Sequence, residues 1–590
     1  MLSRDYFCVK QFFCQIINLT YLIGILIITI NTQIEGEKTM HFLKKTLPIF
    51  AILTVLLLTA CGNDNEKSTT KTSPDKIKFL ETSELLTLNT TAEEDFASFT
   101  AQNQVFEGLY TLDQKDNFVP GVADGMPEIS ADQTKYTIKL KKNAKWSDGS
   151  QVTADDFVYA WRRAVDPKTA PGYSALFKDS IKNATEINEG KLPVTDLGVV
   201  ATDPTTLEIT LKKPVPYFIS LLSFETFFPQ KESFVKKQGD KYGTDSAHTL
   251  YNGPFVMKDW GGNITNKWTY AKNDQYWDKD NVKVNEIDVQ VAKDINAGVN
   301  LYNTNEADRV PLSGDFAKQY KDKKDFQTEK DALISYLRMN QKRDGKATPL
   351  ANNSLRHALN LAVDKKQLTD RILGDGSFPA NGLLPKDFVQ NPTTGADFRT
   401  DSGDHLVYNK EEALKYWKQA QKELGTDKVT IELLGDDQET TKTIFAYLKA
   451  QFEDNLPGVT IKVKNMPSKS ATQLTSDGNY DLSLAAWMPD FKDPWTYSSL
   501  FLSDYFNNHM SYNSPAYDKL VKSTDTTLAT KPEERWNAFV ASEKVLLDDD
   551  AAILPLYQHQ TAVLQRTDIT GVQKHAFGSP YSYKFIRVEK

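Results

Sequence analysis

Between Tyr480 and Tyr497 the sequence gathers the residue types best suited to holding a small charged molecule. Trp487, Pro489, Asp490, Asp493, Pro494 and Trp495 fall within nine positions. Leu482 and Leu484 alternate with Ser483, so the first half reads as a strand. Pro489 and Pro494 remove backbone donors and end regular structure. An aromatic-walled turn carrying the carboxylate of Asp490 suits a cation and the chain attached to it. Other chemistry is poorly provided for. The three cysteines, Cys8, Cys14 and Cys61, leave the body without a disulfide, a thiolate zinc site or a cysteine nucleophile. The seven histidines are scattered, with no HxH or HExxH pairing, so no metal site is expected. There is no GxSxG and no triad spacing, and the acids Asp155-Asp156 and Asp548-Asp549-Asp550 read as helix ends or solvated faces. A secreted hydrolase is therefore set aside, and no cofactor is expected.

The elements that must position such a loop belong to a long chain of 590 residues, 40% hydrophobic and 25% charged, enough for several domains with a proper core. A net charge of −8 and the lack of a Lys/Arg block with interleaved aromatics exclude a nucleic-acid binder. Residues 40–61 run from Met40 through Lys44-Lys45 and an apolar stretch to Leu58-Thr59-Ala60-Cys61. This has the shape of a secretory signal, and its last four residues resemble a bacterial lipobox whose cysteine is lipidated. The apolar run is short for a membrane span of ~20 residues. Residues 62–75 are polar and unpatterned, the composition of a flexible tether. A signal should begin a chain, so residues 1–39 read as a gene-start extension rather than native protein. Glu35-Gly36-Glu37 fits a purine-rich ribosome-binding site just before Met40. The alternative is a real extension with its own span, from the apolar run at 16–30.

In the body, a strand begins at 77–79 and a helix at 100–106, with Gly108 suited to its C-cap. Residues 136–140 and 207–211 alternate as half-buried strands. Trp146-Ser147-Asp148-Gly149 is a turn. Thr153 with Asp156 approximates a capping box for a helix burying Phe157, Ala160, Trp161 and Ala164. Trp146 and Trp161 are expected in the core. Tyr251-Asn252-Gly253-Pro254-Phe255 demands special backbone geometry. Residues 355–364 are helical, with His357 structural. From 409 onward the pattern alternates: helix 411–424, strand 429–434, helix 440–452, strand 459–463, then the strand from Tyr480. Such order predicts an α/β lobe with ligands at the C-terminal ends of its strands, where the Asp490 turn falls. Helix 533–547 and strand 554–564 return the chain to a first lobe.

Four motifs in this order carry a resemblance. They are Trp146–Gly149 with Thr153-Ala154-Asp155-Asp156-Phe157, then Tyr251–Phe255, then Leu355-Arg356-His357-Ala358-Leu359, then Trp487-Met488-Pro489-Asp490-Phe491. Together they resemble extracytoplasmic solute-binding proteins of family 5, the oligopeptide- and dipeptide-binding lipoproteins of ABC importers. The resemblance spans essentially the whole body. It implies an α/β, two-lobed periplasmic-binding-protein-like clamshell with an extra inserted domain and mixed sheets flanked by helices. The implied divisions are 76–107, lobe I; 108–232, the inserted domain; 233–335, lobe I again; 336–553, lobe II; and 554–590, the return to lobe I. Residues 1–39, 40–60 and 61–75 would be extension, signal peptide and tether.

It also implies an extended peptide held between lobes by strand addition. The position of Asp490 takes the peptide α-ammonium in a charge-assisted bond of ~1.5–3 kcal/mol, with free amino termini preferred. Ala486 and Met488, beside Trp487 and Phe491, offer backbone groups to the peptide. Glu94 and Phe96 fall in the opposite pairing edge, Tyr173 lines the cleft, and Asn507 and Asn508 reach peptide or strand. Cys61 is the lipidation site. One departure concerns the other end of the ligand. Some members carry an arginine three residues before the motif tryptophan, where this chain has Leu484. Asp493 and Trp495 have no implied ligand role. The function implied is an extracellular, lipid-anchored receptor, on a Gram-positive cell membrane, that passes peptides to a membrane-embedded permease with ATPase subunits. It would be a monomer and not an enzyme. Alternatives are a receptor for one signalling peptide, or for another family 5 solute such as nickel or haem.

Overall fold

The computed structural model describes residues 76–92, 95–169 and 174–589. The longest sheet is mixed and orders its strands Val459–Met466, Val429–Asp436, Leu482–Trp487, Phe326–Met339, Ile553–Gln565, Arg309–Leu312, Lys76–Glu81, Glu286–Val291, Lys267–Lys272, Phe255–Lys258. Val429–Asp436 is parallel to both its neighbours, and Lys76–Glu81 is parallel to both of its own. The rest of the ladder is antiparallel. A separate four-stranded sheet, Glu128–Ile129, Lys135–Lys139, Thr206–Thr210 and Val199–Asp203, lies within the inserted stretch.

Buried side chains sort into separate cores at the two ends of the long sheet. One gathers Ile77, Phe79, Trp146, Trp161, Trp260 and Ile287, and takes in Ile569 and Ile586 from the chain's end. Two others are built from residues between 332 and 577, around Leu433, Phe445 and Leu482 on one side and Tyr336, Tyr497 and Phe539 on the other. Two long strands, Phe326–Met339 and Ile553–Gln565, run through the boundary between these lobes. Their antiparallel pairing breaks there. Lys330 faces Gln560 and Ile334 faces Gln558, so Asp331, Ala332 and Leu333 oppose His559 alone. Polar groups fill the irregular interval. Lys574 pairs with the Asp331 carboxylate at 3.2 Å, the Gln558 amide donates to Asp331 O at 2.8 Å, and the Tyr497 hydroxyl donates to Ala332 O.

Local chemistry explains the elements. Helix Ala154–Val165 begins where Asp156 accepts from Thr153 N at 2.9 Å and from the Trp146 indole at 3.1 Å. Trp146 and Trp161 are core residues, 1% and 0% exposed. His357 is structural: its Nε2 meets Asp548 O at 2.8 Å and its ring stacks on Tyr416 at 4.7 Å. The alternating pattern after 409 corresponds to helix Lys410–Leu424, strand Val429–Asp436, helix Glu439–Asn455, strand Val459–Met466 and strand Leu482–Trp487.

Two glycines differ from expectation. The first helix runs Phe96–Val105 and ends in the extended residue Phe106, so Gly108 is not its C-cap. A Cβ at Gly108 would lie 2.5 Å from the Phe228 ring; space, not φ, demands glycine there. Gly253 is similar. Its N–H and that of Asn252 donate to Val105 O at 2.9 and 3.3 Å, while the Asn252 side chain pairs with the Glu107 backbone at 3.1 and 2.9 Å. A Cβ on Gly253 would sit 2.6 Å from Phe106 N. Gly253→Ala is therefore expected to cost about 1–3 kcal/mol through forced backbone displacement. Equilibrium denaturation would show it as a lowered midpoint; an unchanged midpoint would contradict the close-approach reading.

Candidate functional site

Strand Leu482–Trp487 is the element from which the site hangs. Along one edge it pairs fully with the long strand, from Met339 opposite Leu482 to Ile334 opposite Trp487. Along the other edge, pairing with Val429–Asp436 stops after Leu482 and Ser483. Among the described residues no further strand covers Leu484–Trp487 on that side. The backbone there is a short internal edge, able to accept an extended chain as an added strand.

The loop that follows is pinned from several directions. The Trp487 indole donates to Thr496 Oγ1 at 3.2 Å, and Gly578 N donates to Pro489 O at 3.1 Å. Phe491 stacks on Tyr217 at 4.3 Å and is buried in the same core as Trp146 and Trp161. Lys492 N donates to Ser220 Oγ at 2.9 Å. Asp493 is held by both guanidinium nitrogens of Arg535 at 2.7 Å and accepts from Trp495 N at 2.9 Å. Asp493 therefore braces the loop.

Beside this loop opens a cavity of about 380 Å³, lined by Tyr217, Trp487, Asp490, Phe491, Trp495, Tyr505, Phe506 and Asn507 among others. Asp490 also borders a much smaller cavity, with Asn103, Glu225, His575 and Ser579. Half-buried Asp490 thus sits at the head of an aromatic chamber, next to the end of the open strand edge.

Of the expected site residues, Asp490, Trp487, Phe491 and Asn507 meet at the cavity. Ala486 is exposed and Met488 half-buried, flanking Trp487. Phe96 is 55% exposed at the start of its helix and is not among the residues lining this cavity. Asn508 differs from the expectation: its amide nitrogen is spent within its own loop, on Leu502 O at 3.0 Å and Tyr512 O at 2.8 Å. Glu94, Tyr173 and Cys61 lie outside the described residues. Trp495, Tyr505 and Phe506 line the cavity with no sequence signal beyond their aromatic character.

Glu225 was also not anticipated. It is 0% exposed with no ion-pair partner among the described residues, and burial, offset only in part by the Ser579 hydroxyl beside it, pushes its pKa up to about 8. Its position in the aromatic run from Phe224 to Phe228 concealed it.

Known proteins resemble this chain in sequence and fold. The profile of bacterial extracellular solute-binding proteins, family 5, matches residues 117–509. A dipeptide-binding protein of Lactococcus lactis is 33% identical over 543 residues, covering 90% of this chain and 96% of that protein. Among solved structures, Listeria monocytogenes OppA bound to peptide shares 45% identity at a TM-score of 0.74, covering 88% of this chain and all of that one. The pheromone receptor PrgZ shares 36% identity at a TM-score of 0.75 with the same coverage of this chain and 100% of its own. The chain, with its two lobes joined by a mixed sheet and a cavity beside the Trp487–Phe491 motif, belongs to the family 5 extracellular solute-binding proteins.

Proposed function

We propose that this protein is a lipid-anchored extracytoplasmic receptor that captures peptides between its lobes and delivers them to an ABC permease for import. The observation that carries the reading is the open edge of Leu484–Trp487 ending at the carboxylate of Asp490 in an aromatic cavity. An extended peptide pairs its backbone with that edge, which gives affinity with little dependence on sequence. Its α-ammonium meets Asp490, and the faces of Trp487 and Trp495 cover its first side chains. The chain acts by binding and release, not catalysis. Anchoring through Cys61, a tether to residue 75, and lobe boundaries near 107, 232, 335 and 553 belong to this proposal. The separate sheet within 108–232 supports the inserted-domain assignment. Among the described residues no helix is long and apolar enough to cross a membrane.

The test has two arms. Mass spectrometry of ligand released by partial unfolding should find short peptides. Calorimetry on stripped protein should then show free-amine peptides bound about 10- to 100-fold more weakly by Asp490→Asn, with N-acetylated peptides bound alike by both forms. Equal loss for both peptide types would overturn the ammonium assignment. Likeness to a pheromone receptor favours a second reading, a receptor for one signalling peptide. A single co-purified sequence in place of a mixture would select it.

A further inference from the structure

Asp490 borders two cavities, and the smaller, of about 10 Å³, has room for a single water molecule. Glu225 lines the same small cavity. Among the described residues no lysine or arginine does, so two carboxyl groups share one space with no such cation facing it. His575 lines it too, and its Nδ1 meets the Asp116 carboxylate at 2.7 Å. Lys492 stands behind that pair, its Nζ donating to Asp116 O at 3.2 Å. Two carboxylates around so small a space cannot both ionise without a large penalty. Asp490 is half-buried and Glu225 is 0% exposed, so burial leaves the charge on Asp490 and the proton on Glu225. The raised pKa of Glu225, about 8, is the same assignment seen from the other side.

The buried proton also has a way out. His575 borders both the small cavity and a wider one of about 390 Å³, whose wall includes the exposed Gln114. An imidazole shared by two cavities can take a proton from one and give it to the other.

Resting on the peptide-receptor reading, we propose that Glu225 is a proton-release group of the ligand site: it holds its proton while no ligand cation is bound and yields it when an α-ammonium docks at Asp490. The ammonium neutralises the carboxylate whose charge kept Glu225 protonated. The Glu225 O–H bond breaks, its electron pair stays on the carboxylate, and the proton leaves through water and His575 to solvent. Capture thus exchanges one positive charge for another, and the net charge inside the site is conserved. A group that gives up a proton on binding makes affinity rise with pH, between its pKa in the complex and its pKa in the free protein. Here that window lies below about pH 8. Ligand capture is therefore graded by the acidity of the medium, with a weaker hold on peptides in acid.

The experiment is calorimetry on stripped native protein and on Glu225→Gln, with tetra-alanine as ligand, in phosphate and in Tris buffer. The two buffers differ in ionisation enthalpy, so the pair of measurements counts the protons exchanged. Titration of the peptide's own amine is common to both proteins, and the difference between them belongs to Glu225. If the carboxyl's pKa falls by about one unit in the complex, the native protein should release about half a proton more than Glu225→Gln near pH 7.5. Its affinity relative to the variant should then rise about tenfold between pH 6 and pH 9. N-acetylated tetra-alanine carries no cation and should release no proton from the native protein, an arm that needs no variant. Equal proton counts in the two proteins with a flat affinity ratio, or the same release with the N-acetylated peptide, overturn the proposal while peptide binding itself persists. Absence of binding by every peptide would instead overturn the receptor reading and this inference with it.

Discussion

Arg535→Met is expected to lower the unfolding free energy by about 3–5 kcal/mol and to weaken ligand binding with it. Arg535 lies on helix Pro532–Lys544 and meets both oxygens of Asp493 at 2.7 Å, with each side chain 9% exposed. Its Nε is spent on Thr524 O at 2.8 Å. Removing the guanidinium leaves a buried carboxylate with, among the described residues, only the Trp495 amide as donor, and an unpaired buried charge is what makes half a salt bridge so costly. Asp493 stands three residues after Asp490, so relaxation of the charge displaces the loop that shapes the cavity. The double variant Arg535→Met with Asp493→Leu should recover most of the stability, because the pair as a whole gains little over apolar packing. Urea denaturation of the single and double variants checks this. Equal losses in both would mean that Arg535 acts through packing on Phe539, 4.8 Å from its guanidinium, and not through charge.

Glu225→Gln is expected to flatten the dependence of stability on pH. Burial raises the Glu225 pKa from an ordinary 4.5 to about 8. The unfolded chain therefore loses this proton near pH 4.5, while the folded chain keeps it until about pH 8. Within that window the native state binds more protons, so stability falls as pH rises, by about 1.4 kcal/mol per unit from this group. The contribution is complete below the unfolded value and lost on passing the folded one. A glutamine has no proton to lose. The variant should match the native protein near pH 4 and exceed it by a few kcal/mol at pH 9. Denaturation at both pH values measures the difference, and parallel curves would show that the carboxyl is paired or solvated in solution.

Periodicity made much of this fold readable, and the reason lies in how its elements bury themselves. Lys135–Lys139 and Thr206–Thr210 each expose one face, so they alternate. Lys410–Leu424 keeps Ala413, Trp417 and Ala420 inward and the rest polar. The strand Phe326–Met339 escaped notice because it changes environment midway. Its first half carries Thr328, Glu329 and Lys330 near the surface, and its second half is buried on both faces. No single period survives that change. Asp490 was visible because its neighbours in sequence are also its neighbours in space. Glu225 was not: what sets it apart is burial with no ion-pair partner among the described residues, and partners come from anywhere in the chain. Gly108 and Gly253 were recognised as special for the wrong reason, since a turn and a close approach call for the same residue.

The break in the two long strands has a mechanical consequence. The hydrogen-bonded ladder continues on both sides of Asp331–Leu333, so sliding one lobe past the other would need a register slip, which turns every side chain to the opposite face. Rotation needs no such slip, because neighbouring strands tolerate a wide range of twist, roughly 10–35°. The joint is stiff in translation and compliant in torsion, and its ladder is irregular both where three residues face one and just beyond, where Ser335 faces Tyr557 and Tyr336 faces Pro555. The Tyr497 hydroxyl grips the backbone at that point, and Tyr497 closes the same stretch of chain that carries Asp490. The torsional element and the cavity-lining carboxylate of Asp490 are thus mounted on one segment of chain.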